Sequence, residues 1–236
     1  MTPTARLPIP ADRICIALDT SDLDDATALV RLLAPFAGWF KVGLTLFGSE
    51  GPRAVAAVAA AGGRVFLDLK LHDIPAQVRG AVSAASDLGV GLLTVHAAGG
   101  PSMLEAAAAG RRNGLAVVAV TVLTSLSDQE WERVCPGSSP AESVCRLTDL
   151  AVAAGLDGVV LSPREVAATR ARVPRDFRLV TPGIRPADGG LDDQARTGTP
   201  LGALADGADL LVIGRPVTQA SDPVAALRLL RGLDPI

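Results

Sequence analysis

Ile14-Cys15-Ile16-Ala17-Leu18-Asp19-Thr20-Ser21-Asp22 is the stretch on which the fold turns. Its five apolar residues have the length of a buried strand. The residues after it, Asp24–Ala37, have helical spacing, and Ser21 and Asp22 are candidate N-caps. A chain that opens this way either closes into a parallel barrel or stays an open doubly wound sheet. The open sheet usually carries a G-x-G-x-x-G turn at this point, so that the backbone can approach a pyrophosphate. Here the strand runs into Asp19-Thr20-Ser21-Asp22, with no glycine. The segment favours the barrel.

Seven more short apolar runs follow: Trp39–Gly43, Val65–Leu69, Gly91–Val95, Ala116–Val120, Gly158–Leu161, Arg178–Val180 and Leu210–Ile213. Between them lie Ala-rich segments with helical spacing: Pro52–Ala61, Pro75–Leu88, Pro101–Arg111, Pro140–Ala154, Pro163–Arg172, Leu201–Asp206 and Pro223–Leu230. Many open with Pro, which suits a first helical turn, and several end near Gly. Strand and helix signals alternate at a spacing of roughly 25 residues. The pattern predicts a (β/α)8 TIM barrel as one domain over residues 1–236, with its active site at the C-terminal strand ends.

Composition narrows the function. The chain has 236 residues, 49% apolar and 20% charged, enough for a sizeable core. Lys plus Arg is 22 and Asp plus Glu is 25, so a chain-wide basic field is absent. Only seven aromatics are present, none of them Tyr. Both facts argue against a nucleic-acid binder. Three cysteines without a C-x-x-C pair argue against a disulfide scaffold or a four-Cys zinc site and fit a reducing cytosol. No signal peptide and no 18-residue apolar stretch is visible, so a cytoplasmic protein with no membrane partner is expected.

Polar residues gather at the predicted strand ends: Asp19, Lys41, Asp68-Leu69-Lys70-Leu71-His72-Asp73, His96, Thr124-Ser125, Ser162, Arg185 and Gly214-Arg215. Charges on strands that otherwise read as buried are costly unless paired. A single one is as well explained by a buried ion pair, whereas a ring of them points to a site. Asp68 and Lys70 are two apart and share a face of an extended strand. Neighbouring carboxylates keep such a lysine an ammonium, which suits a general acid and not a Schiff-base nucleophile. Gly214-Arg215 follows the eighth strand, where barrels often bind phosphate. Gly214 lets the backbone approach and Arg215 offers a forked cation. Arg185 after the seventh strand, and Gln194 in the long loop Ile184–Thr199, are further candidates. That loop suits a lid.

Taken together, these segments resemble the bacterial orotidine 5'-phosphate decarboxylase family. The resemblance rests on Leu18-Asp19, Phe40-Lys41-Val42-Gly43, Asp68-Leu69-Lys70-Leu71-His72-Asp73-Ile74-Pro75, Val95-His96-Ala97-Ala98-Gly99-Gly100, Leu123-Thr124-Ser125, Thr181-Pro182-Gly183-Ile184-Arg185 and Ile213-Gly214-Arg215-Pro216. It implies a cofactor-free, metal-free conversion of orotidine monophosphate to uridine monophosphate in pyrimidine biosynthesis. It also implies a homodimer with active sites shared across the interface. By the same resemblance, Lys70 donates the proton, Asp68 faces the substrate carboxylate and Asp73 arrives from the other subunit. Lys41 and Asp19 hold the ribose and the charge network, Thr124 and Ser125 lie at the pyrimidine, and Arg185, Gln194, Gly214 and Arg215 grip the phosphate. The family usually continues the third-strand motif as Asp-Ile-Pro-Asn-Thr. Here Ala76-Gln77 follows, so the cross-interface ribose contact falls to the Gln77 amide.

Two rival readings stay open at this stage. One is a magnesium-dependent sugar-phosphate decarboxylase of the same barrel suprafamily, against which Asp73-Ile74-Pro75 and Leu123-Thr124-Ser125 count. The other is a non-catalytic phosphate-binding barrel, which has no need for two carboxylates beside an anion.

Overall fold

Eight parallel strands close into a barrel in sequence order, β8 pairing with β1, in a computed structural model that describes residues 8–186 and 196–234. The strands are β1 Ile14–Leu18, β2 Trp39–Gly43, β3 Arg64–Leu71, β4 Leu92–His96, β5 Ala116–Val120, β6 Gly158–Val160, β7 Arg178–Thr181 and β8 Leu210–Ile213. Each coincides with one of the apolar runs. They read as continuous runs because both faces of these strands are covered, the inner by the barrel and the outer by helices.

The expected helices form α1 Leu23–Leu33, α3 Pro52–Ala60, α4 Pro75–Asp87, α5 Pro101–Gly110, α7 Pro140–Ala153, α8 Val166–Arg170, α9 Pro200–Ala205 and α11 Pro223–Leu230. Their ends follow local chemistry. Asp22 caps α1 by accepting from the amides of Asp24 and Asp25. α7 stops at Gly155 (φ 71°), where Gly155 N donates to Val152 O and Leu156 N to Ala151 O. That double bond is a Schellman stop, and it needs the left-handed backbone that glycine adopts without strain.

Three short helices were not expected: α2 Leu44–Glu50, α6 Asp128–Val134 and α10 Arg215–Thr218. α6 had a readable signal, since Ser127 and Glu130 form a capping box. The segment expected as one helix over Pro163–Arg172 is instead a 3-10 turn, Pro163–Glu165, followed by α8. No helix among the described residues is long and apolar enough to cross a membrane.

The core has two parts. The larger lies between barrel and helices and includes Ile14, Ile16, Leu18, Phe40, Leu67, Leu93 and Leu104. The smaller fills the barrel lumen with Cys15, Ala17, Trp39, Phe66, Leu92, Val118, Val180, Leu210 and Val212. This inner plug separates the C-terminal strand ends from the N-terminal end of the barrel, where Trp39, Leu92, Val180 and Leu210 line a second cavity with Arg64, Arg178 and Asp209.

Candidate active site

The layer above the plug follows from strand periodicity. Side chains two residues apart share a face. Lys41 therefore follows Trp39 inward on β2, Asp68 follows Phe66 on β3, and Thr94 follows Leu92 on β4. Asp68 is the hub. Lys70 Nζ lies 2.9 Å from Asp68 Oδ2, and Lys41 Nζ lies 3.6 Å from the same oxygen. Lys41 Nζ is also 2.9 Å from Asp19 Oδ1. Thr94 Oγ1 donates to Asp68 Oδ1 at 2.9 Å.

Asp68 and Lys70 meet as expected, but not on a regular strand. The β3–β4 register shifts between Leu67 and Leu71, and Lys70 has φ +51°. That left-handed backbone costs a non-glycine residue roughly 1–3 kcal/mol. It is held by Lys70 N, which donates to Thr94 Oγ1 at 2.8 Å. Thr94 thus bonds both members of the pair. It escaped the sequence reading because a lone threonine in Leu92-Leu93-Thr94-Val95 looks like an ordinary strand residue.

The electrostatics follow from this packing. Burial pushes the Asp68 carboxyl up, but Lys41, Lys70 and the bonds from Lys70 and Thr94 outweigh it and hold it below its ordinary value. Burial pushes the Lys41 ammonium down, but Asp68 and Asp19 outweigh it and hold it above. Gly43 keeps room for Lys41, since a Cβ there would lie 2.8 Å from Nζ. Deeper in the lumen, burial pushes the Cys15 thiol up, so it stays neutral.

A cavity of about 270 Å³ opens above this network. Asp19, Lys41, Asp68, Lys70, Thr124, Ser125, Arg185, Gly214 and Arg215 all line it. Its walls are completed by apolar residues that sequence reasoning did not single out as site residues, Phe66, Val120, Val122, Val160 and Val212 among them. One rim is cationic, with Arg185 and Arg215, and the floor carries the alternating Lys and Asp charges.

Three expected residues are not in this cavity. Asp73 and Gln77 are exposed beyond β3, and Asp73 Oδ1 accepts from the amide of Ile74 at 2.6 Å. A single chain does not bring either one to the Asp68–Lys70 pair. Gln194 lies outside the described residues, as does the middle of the lid-like loop. His96 stacks on His72, with ring centroids 5.3 Å apart. Its Nδ1 is buried without a hydrogen-bond partner among the described residues. Burial, His72 and Lys70 together hold His96 below its ordinary value and so neutral. No cluster of three or more His, Cys, Asp or Glu side chains suited to a metal is present among the described residues.

Comparison with known proteins gives the same picture from another side. The profile of the orotidine 5'-phosphate decarboxylase / HUMPS family matches residues 12–230. The orotidine 5'-phosphate decarboxylase of Anaeromyxobacter sp. (strain K) is 51% identical over 221 residues, covering 94% of this chain and 97% of the relative. That of Moorella thermoacetica is 52% identical over 229 residues, covering 93% and 90%. The crystal structure of orotidine 5'-phosphate decarboxylase from Lactobacillus acidophilus superposes with a TM-score of 0.80 at 36% identity, over 93% of this chain and 97% of that one. A closed parallel barrel with a lysine–carboxylate floor, matched in sequence almost from end to end, makes this chain a member of the orotidine 5'-phosphate decarboxylase / HUMPS family.

Proposed function

We propose that this chain is a carbon-carbon lyase that decarboxylates orotidine 5'-phosphate to uridine 5'-phosphate in pyrimidine biosynthesis. It works in the cytoplasm, without metal or organic cofactor, as a homodimer. The observation that carries the reading is the Asp68–Lys70 pair, 2.9 Å apart, on the floor of a cavity whose rim holds Arg185, Gly214 and Arg215. The names of relatives aligned over nine-tenths or more of both chains support it.

In this mechanism the phosphate is gripped by Arg185, Gln194, Gly214 and Arg215. The ribose meets Lys41, Asp19 and, across the dimer interface, Gln77. The pyrimidine lies against Thr124 and Ser125. The substrate carboxylate is then set against Asp68, which stays anionic at neutral pH because two lysines hold its pKa down. The bond between C6 and the carboxylate breaks, carbon dioxide leaves, and the electron pair stays on C6. Lys70 delivers a proton from Nζ to that carbon, and the neutral amine recovers its proton from solvent. Losing the carboxylate relieves repulsion from Asp68 while Lys70 stabilises the developing charge, so the gain falls on the transition state. Asp73 of the second subunit closes the charge cluster.

The deciding experiment follows the loss of orotidine 5'-phosphate absorbance with purified protein, with and without a chelator. Turnover that survives chelation is expected. No turnover in either condition overturns the reading. Turnover only with added magnesium turns it toward a metal-dependent chemistry.

A further inference from the structure

Arg196 and Glu165 form a buried ion pair that the mechanism above does not use. Arg196 is 3% exposed and Glu165 is 8% exposed. Arg196 Nη1 lies 2.8 Å from Glu165 Oε1. The far carboxylate oxygen accepts from Ser162 Oγ, two residues beyond β6, and Arg164 N in turn donates to Ser162 Oγ at 3.2 Å. One carboxylate oxygen is therefore held by Ser162 and the other by Arg196.

What the other end of the guanidinium holds is more informative. Nη2 donates to Val122 O at 3.2 Å and to Leu123 O at 3.1 Å. These carbonyls belong to the loop after β5, and both residues line the active-site cavity directly before Thr124 and Ser125. A buried ion pair is a poor device for stability alone, since apolar residues of equal volume serve as well or better. With one arm of the fork on Glu165 and the other donating to two successive carbonyls, the guanidinium fixes the loop's path and orientation. The phosphate side of the site has its own tether. Ile184 bridges to Gly198, Arg185 N donates to Gly198 O at 3.0 Å, and Gly198 N donates to Gly183 O at 3.2 Å.

We infer that Arg196 is a positioning residue that, held by Glu165 and Ser162, locks the loop carrying Thr124 and Ser125 in the geometry the pyrimidine requires. The inference rests on the functional reading above for the identity of the base, but not for the locking itself. Arg196 is buried and does not line the cavity. It acts on base recognition while leaving phosphate recognition to the Ile184–Gly198 tether.

The test compares Arg196→Lys and Glu165→Gln with wild type. Affinities for uridine monophosphate and ribose 5-phosphate are measured by calorimetry, and amide hydrogen exchange at Thr124 and Ser125 is measured without ligand. Arg196→Lys keeps the charge but loses the fork. It should weaken uridine monophosphate about tenfold, as expected when a contact surface shifts slightly. Ribose 5-phosphate should weaken less than uridine monophosphate, because the bonds between Gly198 and Gly183–Arg185 hold the phosphate side without the loop after β5. Exchange should quicken at Thr124 and Ser125 and stay unchanged at Val118 in β5. Glu165→Gln keeps the guanidinium and should shift each readout in the same direction by less, so it carries the test if Arg196→Lys fails to fold. Equal loss of both ligands, or unchanged exchange in the loop, overturns the inference. If wild type binds neither ligand, the functional reading fails, and the exchange measurement still decides whether Arg196 locks the loop.

Discussion

The lower and upper layers of the barrel lumen lie one strand repeat apart and differ in nearly every property. Below are Trp39, Phe66 and Leu92, packed with Cys15, Val118, Val180 and Leu210. Above are Lys41, Asp68 and Thr94, each two residues further along the same strands. The lower layer buries apolar surface and stabilises the fold. The upper layer takes charges out of water, which opposes folding unless every charge finds a partner. The upper layer persists because the lower one holds its strands rigid and seals it from water on one side. Of the two layers, the upper one adjoins a left-handed, non-glycine backbone, at Lys70 with φ +51°. The same strands thus carry apolar burial and a paired charge network in adjacent tiers.

The sharpest way to break this division is Lys70→Ala. It should lower turnover by roughly a thousandfold or more, because both proton delivery and charge stabilisation are lost. Uridine monophosphate should still bind by calorimetry, since the other contacts survive. Turnover near the wild-type rate would remove Lys70 from the chemistry. Refolded together, Lys70→Ala and Asp73→Ala chains should recover roughly a quarter of wild-type activity, because half of randomly paired dimers are mixed and one of their two sites is whole. No recovery despite demonstrated subunit exchange would place the action of Asp73 within its own chain.

Leu92→Ala tests the other tier. It should cost roughly 2–5 kcal/mol of stability in chemical denaturation, as a cavity in a close-packed layer does. Product affinity should change far less than stability. A loss confined to affinity would mean the lower layer serves the site rather than the fold.

Arg215→Ala probes the rim, away from both tiers. Product binding should weaken by roughly 2–5 kcal/mol for a lost partner of a desolvated charge. Arg215→Lys should remain impaired, since an ammonium cannot reproduce the fork. Unchanged calorimetric affinity in either variant would exclude Arg215 from phosphate binding.

The smallest effect is in pH dependence, and it separates the tiers by charge alone. Asp68 is held below its ordinary value, so its stabilising contribution is complete above the unfolded pKa and is lost as pH falls through the folded one. Lys41 is held above its ordinary value, so its contribution is complete below the unfolded pKa and is lost as pH rises through the folded one. Stability measured against pH should therefore fall at both extremes. Asp68→Asn should flatten the acid limb, and Lys41→Met the alkaline limb. An unaltered acid limb in Asp68→Asn would mean that other carboxylates govern acid unfolding.

Much of this was legible in the sequence. Strands buried on both faces leave continuous apolar runs, so all eight could be placed, and helix starts and stops are written in Pro, Asp and Gly, as at Asp22 and Gly155. The strand-end residues of one cavity could be collected because barrel topology brings every strand's C-terminal end to one face. Tertiary structure alone decided the rest. Lys70 meets Asp68 through a register shift and a left-handed backbone, which no side-chain alternation encodes. Thr94 joins the network because β4 pairs with β3, and Arg196 meets Glu165 across 31 residues of chain. Asp73, in the β3–α4 turn, and Gln77, in the first turn of α4, are exposed in a single chain and do not line the cavity. Local chemistry sets which residues form an element and where it stops. Which side chains complete each other's charges and hydrogen bonds depends on distances between elements, and those exist only once the barrel has closed.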